Sequence, residues 1–360
     1  MGTDSVIYIR TDGNPKIATG HLVRCLCIAQ ALEELGKKVC FLVSDSISLA
    51  SLQELSNSIF CDIPFSYESK ILESAVYDNL DLELDELCTL LDKDKDDFAK
   101  PTILIDSYYV TDAYLTMLRK FATTVYMDDL RSFDYVVDYV INYDVIPPSK
   151  LEEYQQSYTL AKNTLLGAAY TPLRKQFQNQ DIIYKKDIKT LLITTGGSDP
   201  YDFTPELLTR LISSNLSFDI HVVIGKFFKN TALLEDFAIK YPFIHLHRDV
   251  SNMATLMKQC EFAISAAGTT LYELCALGIP AISISMADNQ IPMAQTFAET
   301  DAIPYAGDIR SQNVYATILH YLSLITKDIS ICHKQQKTMH ELVDGNGAIK
   351  IAKIITHIKA

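Results

Sequence analysis

Apolar residues in this chain fall into short runs separated by longer stretches in which they recur every three or four positions. The first run, VIYI (6–9), is followed by a polar, turn-rich segment and then by LVRCLCIAQALEEL (22–35), which keeps helical spacing and stops at Gly36. VCFLV (39–43) follows at once, and TILID (102–106) and TVYMD (124–128) enclose a helical segment from about Ala113 to Phe121. Strands alternating with helices imply parallel pairing in a doubly wound α/β sheet.

The alternation restarts after a charged, irregular stretch at 172–189. Strands are expected at 191–195, 220–225, 243–247, 262–266 and 281–285. Helices are expected at 204–212, 232–240, 253–258 and 270–277, and again from Ile291. The reading is two α/β domains with a ligand cleft between them: 1–171, a linker at 172–189, and 190–344, with a C-terminal helix at 345–360. A length of 360 residues suits that division.

Charge changes this picture little. The densest acidic run, 78–97, reads as a helix with an apolar stripe at Leu80, Leu84, Leu87 and Leu91 and a solvated carboxylate face. With 32 Lys and Arg against 45 Asp and Glu, the formal charge is −13, which disfavours a general nucleic-acid binder. No apolar run is long enough to span a membrane, and the first residues do not read as a signal peptide, so a cytoplasmic protein without stable membrane insertion is expected. The 8 cysteines show no metal or disulfide spacing and read as reduced and mostly buried.

The residues with chemical potential cluster where strands run into loops. His21 follows Gly20 at the start of a helix, on the sheet edge where open α/β folds bind ligands. The positive end of a helix favours the neutral imidazole that a general base requires, although a loop histidine held by a carbonyl is an equal alternative. His245 and His247 alternate on one strand, but no third ligand is evident, so no metal site is read there. In ITTGGSDP (193–200), Gly196, Gly197 and Ser198 suit either a phosphate-approaching loop or a plain tight turn. In ISAAGTTLYELCALGIP (264–280), a strand ends at small residues and Gly268, Thr269 and Thr270 open a helix, a favourable place for a diphosphate. Glu273 fits a capping box with Thr270, or equally a carboxylate that holds a ribose diol. Asp288, Asn289 and Gln290 end the next strand on the same edge, where they suit sugar hydroxyls or amides.

Together, IRTDGNPKIATGHLVRCLCIAQAL (9–32), LLITTGGSDP (191–200) and AAGTTLYELCALGIPAISISMADNQ (266–290) resemble the UDP-sugar hydrolases of the pseudaminic acid pathway and their relatives in spore-coat polysaccharide synthesis. Matches at LIDSYYV (104–110), MDD (127–129) and LLGAAYTPLR (165–174) extend the resemblance in the same order. The resemblance implies two Rossmann-like domains in the GT-B arrangement. It further implies that Gly268–Thr270 hold the diphosphate and Glu273 the ribose, that His21 activates a water with Tyr108 helping to organise the sugar, and that Gly20 and Arg24 belong to the substrate site. The implied reaction is inverting hydrolysis of UDP-2,4-diacetamido-2,4,6-trideoxy-β-L-altrose to UDP and free sugar, without metal or cofactor. Asp12 is the residue proposed to orient His21.

Two positions depart from the family pattern. Ala18 and Ala168 replace a usual glycine and a usual proline, which points to a differently decorated sugar. A glycosyltransferase of the same fold, with His21 deprotonating an acceptor hydroxyl, is the alternative reaction. A catalytically silent UDP-sugar-binding partner is the third reading.

Overall fold

A computed structural model describes residues 6–17, 19–60, 64–73, 77, 79–94, 100–311 and 313–357. The chain divides into two compact units, Met1–Lys175 with Asn346–Ala360, and Gln176–Gly345. Most of the stretch read as a linker, from residue 176 onward, lies in the second unit, while the C-terminal helix packs with the first.

The first unit holds seven parallel strands: β1 (Ile7–Thr11), β2 (Val39–Val43), β3 (Glu68–Ile71), β4 (Thr102–Asp106), β5 (Thr123–Met127), β6 (Tyr139–Asn142) and β7 (Asn163–Leu166). Their order across the sheet is β3-β2-β1-β4-β5-β6-β7. Helices α1 (Gly20–Glu34), α2 (Ser46–Ile59), α3 (Leu80–Lys93), α4 (Asp112–Phe121) and α5 (Leu151–Gln156) lie in the connections. Alternate strand residues feed two cores, as a sheet covered on both faces requires. Ile7 and Ile9 join Leu22, Leu26 and Ala29 of α1, whereas Tyr8 and Ile103 join Leu87 and Leu91 of α3 and Leu115 and Leu118 of α4.

The second unit has six parallel strands: β8 (Thr190–Thr194), β9 (Asp219–Ile224), β10 (Ile244–Arg248), β11 (Phe262–Ala266), β12 (Ala281–Ser285) and β13 (Tyr305–Asp308). Their order is β10-β9-β8-β11-β12-β13. Its helices are α6 (Phe203–Ser213), α7 (Thr231–Lys240), α8 (Met253–Met257), α9 (Thr269–Leu277), α10 (Ile291–Glu299), α11 (Val314–Ile325) and α12 (Ser330–Leu342). The last helix, α13 (Gly347–Thr356), returns to the first unit, where Ala348, Ile351, Ala352 and Ile355 enter the core around α1.

In each sheet the chain leaves two neighbouring strands in opposite directions, which opens a crevice above their carboxyl ends. The pairs are β1 with β4, and β8 with β11. These two switch points carry nearly all the residues singled out from the sequence.

The acidic helix α3 departs from its expected solvated face at one position. Glu83 is turned inward and accepts from Arg10 at 2.7 and 3.1 Å and from the Tyr114 hydroxyl at 3.0 Å. Arg10 lies on the central strand β1 with only 1% of its surface exposed, so its charge demands a buried partner. Seven cysteines are free thiols, all buried except the half-buried Cys88; Cys61 lies outside the described residues. No helix among the described residues is long and apolar enough to cross a membrane.

Candidate functional site

At the first switch point, α1 and β4 build one charged cluster. His21 and Arg24 are three residues apart on α1 and therefore share a face. Both reach Asp106, the last residue of β4, which stands opposite Thr11 of β1. His21 Nδ1 lies 2.6 Å from Asp106 Oδ1, and the Arg24 guanidinium donates to both carboxylate oxygens. Arg24 also donates to the Tyr143 hydroxyl at 2.6 Å and to Asp129 Oδ2 at 3.1 Å. The exposures of His21, Arg24 and Asp106 are 6%, 9% and 1%, so these bonds act away from bulk water.

The protonation pattern follows. Burial opposes charge on Asp106, but the Arg24 guanidinium and the hydrogen bonds from Arg24 and His21 outweigh it and hold the carboxyl down at about 2. Arg24 Nη2 also lies 3.0 Å from His21 Nδ1, but an ionised carboxylate has no proton to give, and its shorter contact of 2.6 Å favours the imidazole proton on Nδ1. The lone pair is then on Nε2. That is the arrangement of a carboxylate-oriented general base.

Tyr108 packs edge-on against His21, with ring centroids 4.6 Å apart at 84°. Its hydroxyl donates to Asp129 Oδ2 at 3.1 Å. Burial, and next the Asp129 carboxylate, push this phenol above its ordinary range, so it stays a neutral donor. Asp129 Oδ1 is buried and has no hydrogen-bond partner among the described residues.

The expected Asp12–His21 pairing gives way to a different one. Asp12 accepts from Arg10 at 2.6 Å and from the backbone and hydroxyl of Ser44 at 2.7 and 2.8 Å, and the carboxylate on His21 is that of Asp106. The physical reason is the parallel neighbour: β4 lies beside β1, so its terminal residue reaches the face of α1. Gly20 opens α1, and a Cβ there would meet nothing within 4 Å. Ala18 lies outside the described residues, and Ala168 is buried at the start of a short turn after Gly167.

At the second switch point, the loop after β8 is set by backbone contacts. Gly196 has φ of +80°. Gly225, which follows β9, packs so closely on it that a Cβ would lie 2.3 Å from the Gly196 carbonyl oxygen. Asp199 accepts from the amides of Phe203 and Thr204, both at 2.8 Å, which ties the Gly197–Ser198 loop to the start of α6. Thr195 Oγ1, just beyond β8, is buried and has no partner among the described residues.

Across the switch point, α9 begins at Thr269 with Gly268 in extended geometry before it and no side-chain cap. A Thr270–Glu273 capping box needs Thr270 in the capping position, which Gly268 holds, so that alternative for Glu273 falls. Thr270 is instead the second residue of the helix. Early amides of a helix lack acceptors within it and form the positive end of its dipole. Beyond β12, Gln290 accepts from the amide of Met286 at 2.8 Å, and Asp288 pairs with Arg310 at 2.5 Å on the surface. Asn289 is exposed beside them.

Asp106, Asp129 and Tyr143 are the residues that sequence reasoning passed over. The signal for two of them was present: LID and MDD each end an apolar run in a carboxylate.

The chain is 26% identical over 290 residues to an uncharacterized protein of Methanocaldococcus jannaschii, covering 77% of this chain and 54% of that protein. It is 28% identical over 197 residues to the spore coat polysaccharide biosynthesis protein SpsG of Bacillus subtilis, covering 52% and 57%. It is 30% identical over 136 residues to the pseudaminic acid cytidylyltransferase and UDP-2,4-diacetamido-2,4,6-trideoxy-β-L-altropyranose hydrolase of Helicobacter pylori, covering 37% and 23%. The matched stretch thus spans about half the length of the first two relatives and under a quarter of the third. No protein-family model matches the chain.

Among solved structures, MurG of Acinetobacter baumannii superposes with a TM-score of 0.67 at 13% identity, covering 98% of this chain and 100% of that one. The UDP-GlcNAc 2-epimerase of Methanocaldococcus jannaschii gives 0.59 at 15% identity, covering 98% and 99%. The chain has the GT-B fold of two parallel-sheet Rossmann-like units, and its sequence relatives include proteins named for spore-coat polysaccharide and pseudaminic acid synthesis.

Proposed function

We propose that the chain hydrolyses a UDP-linked 2,4-diacetamido-2,4,6-trideoxy sugar to UDP and the free sugar, with inversion, in surface-polysaccharide or nonulosonic acid synthesis. The observation that carries this reading is the His21–Asp106 hydrogen bond of 2.6 Å, clamped by Arg24 at a sheet switch point. It supplies a fixed, buried base whose free nitrogen, Nε2, can take a proton from water. The relatives named for the same class of sugar support the substrate assignment.

In this mechanism water attacks the anomeric carbon on the face opposite UDP. The new C–O bond forms as the bond to the diphosphate oxygen breaks, its electron pair leaves with UDP, and the water proton passes to His21 Nε2. The departing diphosphate is stabilised by the first amides of α9 at Gly268–Thr270, so leaving-group protonation is not needed. Glu273 accepts from the ribose hydroxyls, and the Gly197–Ser198 loop and Asp288–Gln290 contribute polar contacts. On the sugar side, the unpartnered Asp129 Oδ1 is suited to accept from an acetamido N–H or a ring hydroxyl, with Tyr108 beside it.

The test is incubation with a panel of UDP-sugars in the presence of a chelator and without any acceptor. UDP and a reducing sugar should appear in equal amounts. If UDP is released only when an alcohol acceptor is added, the chain is a glycosyltransferase, and His21 deprotonates that acceptor instead.

A further inference from the structure

The register of β9 and β10 supplies the ligands that the sequence spacing lacked. His245 pairs directly with His221 on the neighbouring parallel strand. Asp219 lies two residues before His221, and His247 two after His245, so all four project from one face of the sheet. The intervening residues Ile220, Val222 and Ile244 fill the hydrophobic core on the opposite face. Asp219, His221 and His245 each bring one ligand atom within 4.8 Å of the other two.

We propose that Asp219, His221 and His245 bind one divalent first-row transition ion, with Zn²⁺ the best match to two imidazoles and a carboxylate. His245 Nε2 lies 2.8 Å from Asp219 Oδ1, a hydrogen bond that opens to about 3.3 Å when both atoms bind one tetrahedral ion. His221 Nδ1 lies 2.9 Å from His247 Nε2, with the two rings nearly parallel at 6°. Donation from His221 Nδ1 to His247 leaves His221 Nε2 as the coordinating atom, and His247 orients the ligand from behind, as the second partners of metal-bound histidines do. Water fills the remaining position, since the side chains of Asp219 and His245 are 52% and 42% exposed. Because the ligands come from both strands, the ion ties edge strand β10 to β9 and stabilises the folded chain.

The site is independent of the hydrolase reading, because none of its residues belongs to either switch point. The test uses the full chain without a histidine tag, stripped by chelator and titrated with Zn²⁺ against a chromogenic chelator. One equivalent should bind and raise the melting temperature. Co²⁺ should give visible d–d bands of a site with nitrogen and oxygen ligands. The His221→Ala/His245→Ala variant should lose the stoichiometric ion, and His247→Ala should weaken it roughly 10–100-fold. Circular dichroism and UDP calorimetry on each variant show whether the fold is kept. Equal Zn²⁺ uptake by the wild type and a folded double variant overturns the proposal. So does the absence of Co²⁺ bands from the wild type, a measurement that needs no variant at all.

Discussion

At the switch point of β1 and β4, three ionisable groups no more than 9% exposed satisfy one another; at that of β8 and β11, the loop is set by glycines and a helix start, and the Asp288–Arg310 pair beyond β12 lies on the surface. Under the proposed function, the contrast follows from what each site has to do. A proton acceptor must have its lone pair aimed and its partner charged, which buried charge achieves at a desolvation cost that Arg24 offsets. A diphosphate brings its own charge, so backbone amides and small residues suffice. Under the proposed function, buried charge marks the half assigned the chemistry, and backbone geometry the half assigned the nucleotide.

The sharpest way to break this comparison is His21→Asn. The variant keeps a polar side chain but loses the basic nitrogen, and the rate should fall roughly 10²–10⁴-fold. UDP affinity measured by calorimetry should stay the same. Near-normal turnover would remove His21 from the mechanism and with it the assignment of chemistry to the first unit.

Asp106→Ala comes next and acts on stability as well as rate. It leaves the buried Arg24 guanidinium without its principal partner, a loss of about 3–5 kcal/mol. The native carboxyl is held at about 2, below its ordinary 3.8, so the wild-type stabilisation is complete above that ordinary value and fades as pH falls toward 2. Urea denaturation at a series of acidic pH values should show a steeper slope in the wild type than in the variant, which keeps other depressed carboxylates such as Asp138. A variant as stable as the wild type would mean that the cluster carries no structural charge pair.

Much of this contrast was legible in the sequence, and what was not has particular causes. The strands at the centre of each sheet are continuous apolar runs, because parallel strands covered on both faces need them. The edge strand β3, with sequence ESKI, is largely exposed, and β13, YAGD, includes Gly307 at φ of +121°. Neither gives a hydrophobic signal. His21 was visible because Gly20 and a helix start mark it locally. Asp106 was not, because its link to His21 spans 85 residues and depends on β4 settling beside β1. The histidine cluster escaped for the same reason: His221 and His245 meet only through the register of two strands.

On the nucleotide side, Glu273→Ala should weaken UDP binding by about 1–3 kcal/mol, since two ribose hydroxyls lose their acceptor. Gly268 already occupies the cap position, so loss of a Thr270–Glu273 capping box is not an available explanation for a stability change. Calorimetry should show reduced affinity, with the melting temperature of the same variant confirming that it is folded. Unchanged affinity in a folded variant would take Glu273 out of the site.

The smallest expected effect falls on Asp199, whose carboxylate caps the amides of Phe203 and Thr204. Asp199→Ala should cost about 1 kcal/mol of stability, the ordinary value of a helix cap. Its consequence for function depends on how the Gly197–Ser198 loop works. If the second switch point holds its ligand through a preset backbone, freeing the loop from α6 must also weaken UDP, because ordering it is then charged to binding. If the loop is a plain turn, the stability loss appears alone. Asp199→Asn, which keeps one acceptor, should recover part of both losses in the first case. Melting temperature and UDP affinity measured on the same two variants separate these outcomes, and a stability loss without any change in affinity would reduce the nucleotide half to the start of α9 and Glu273.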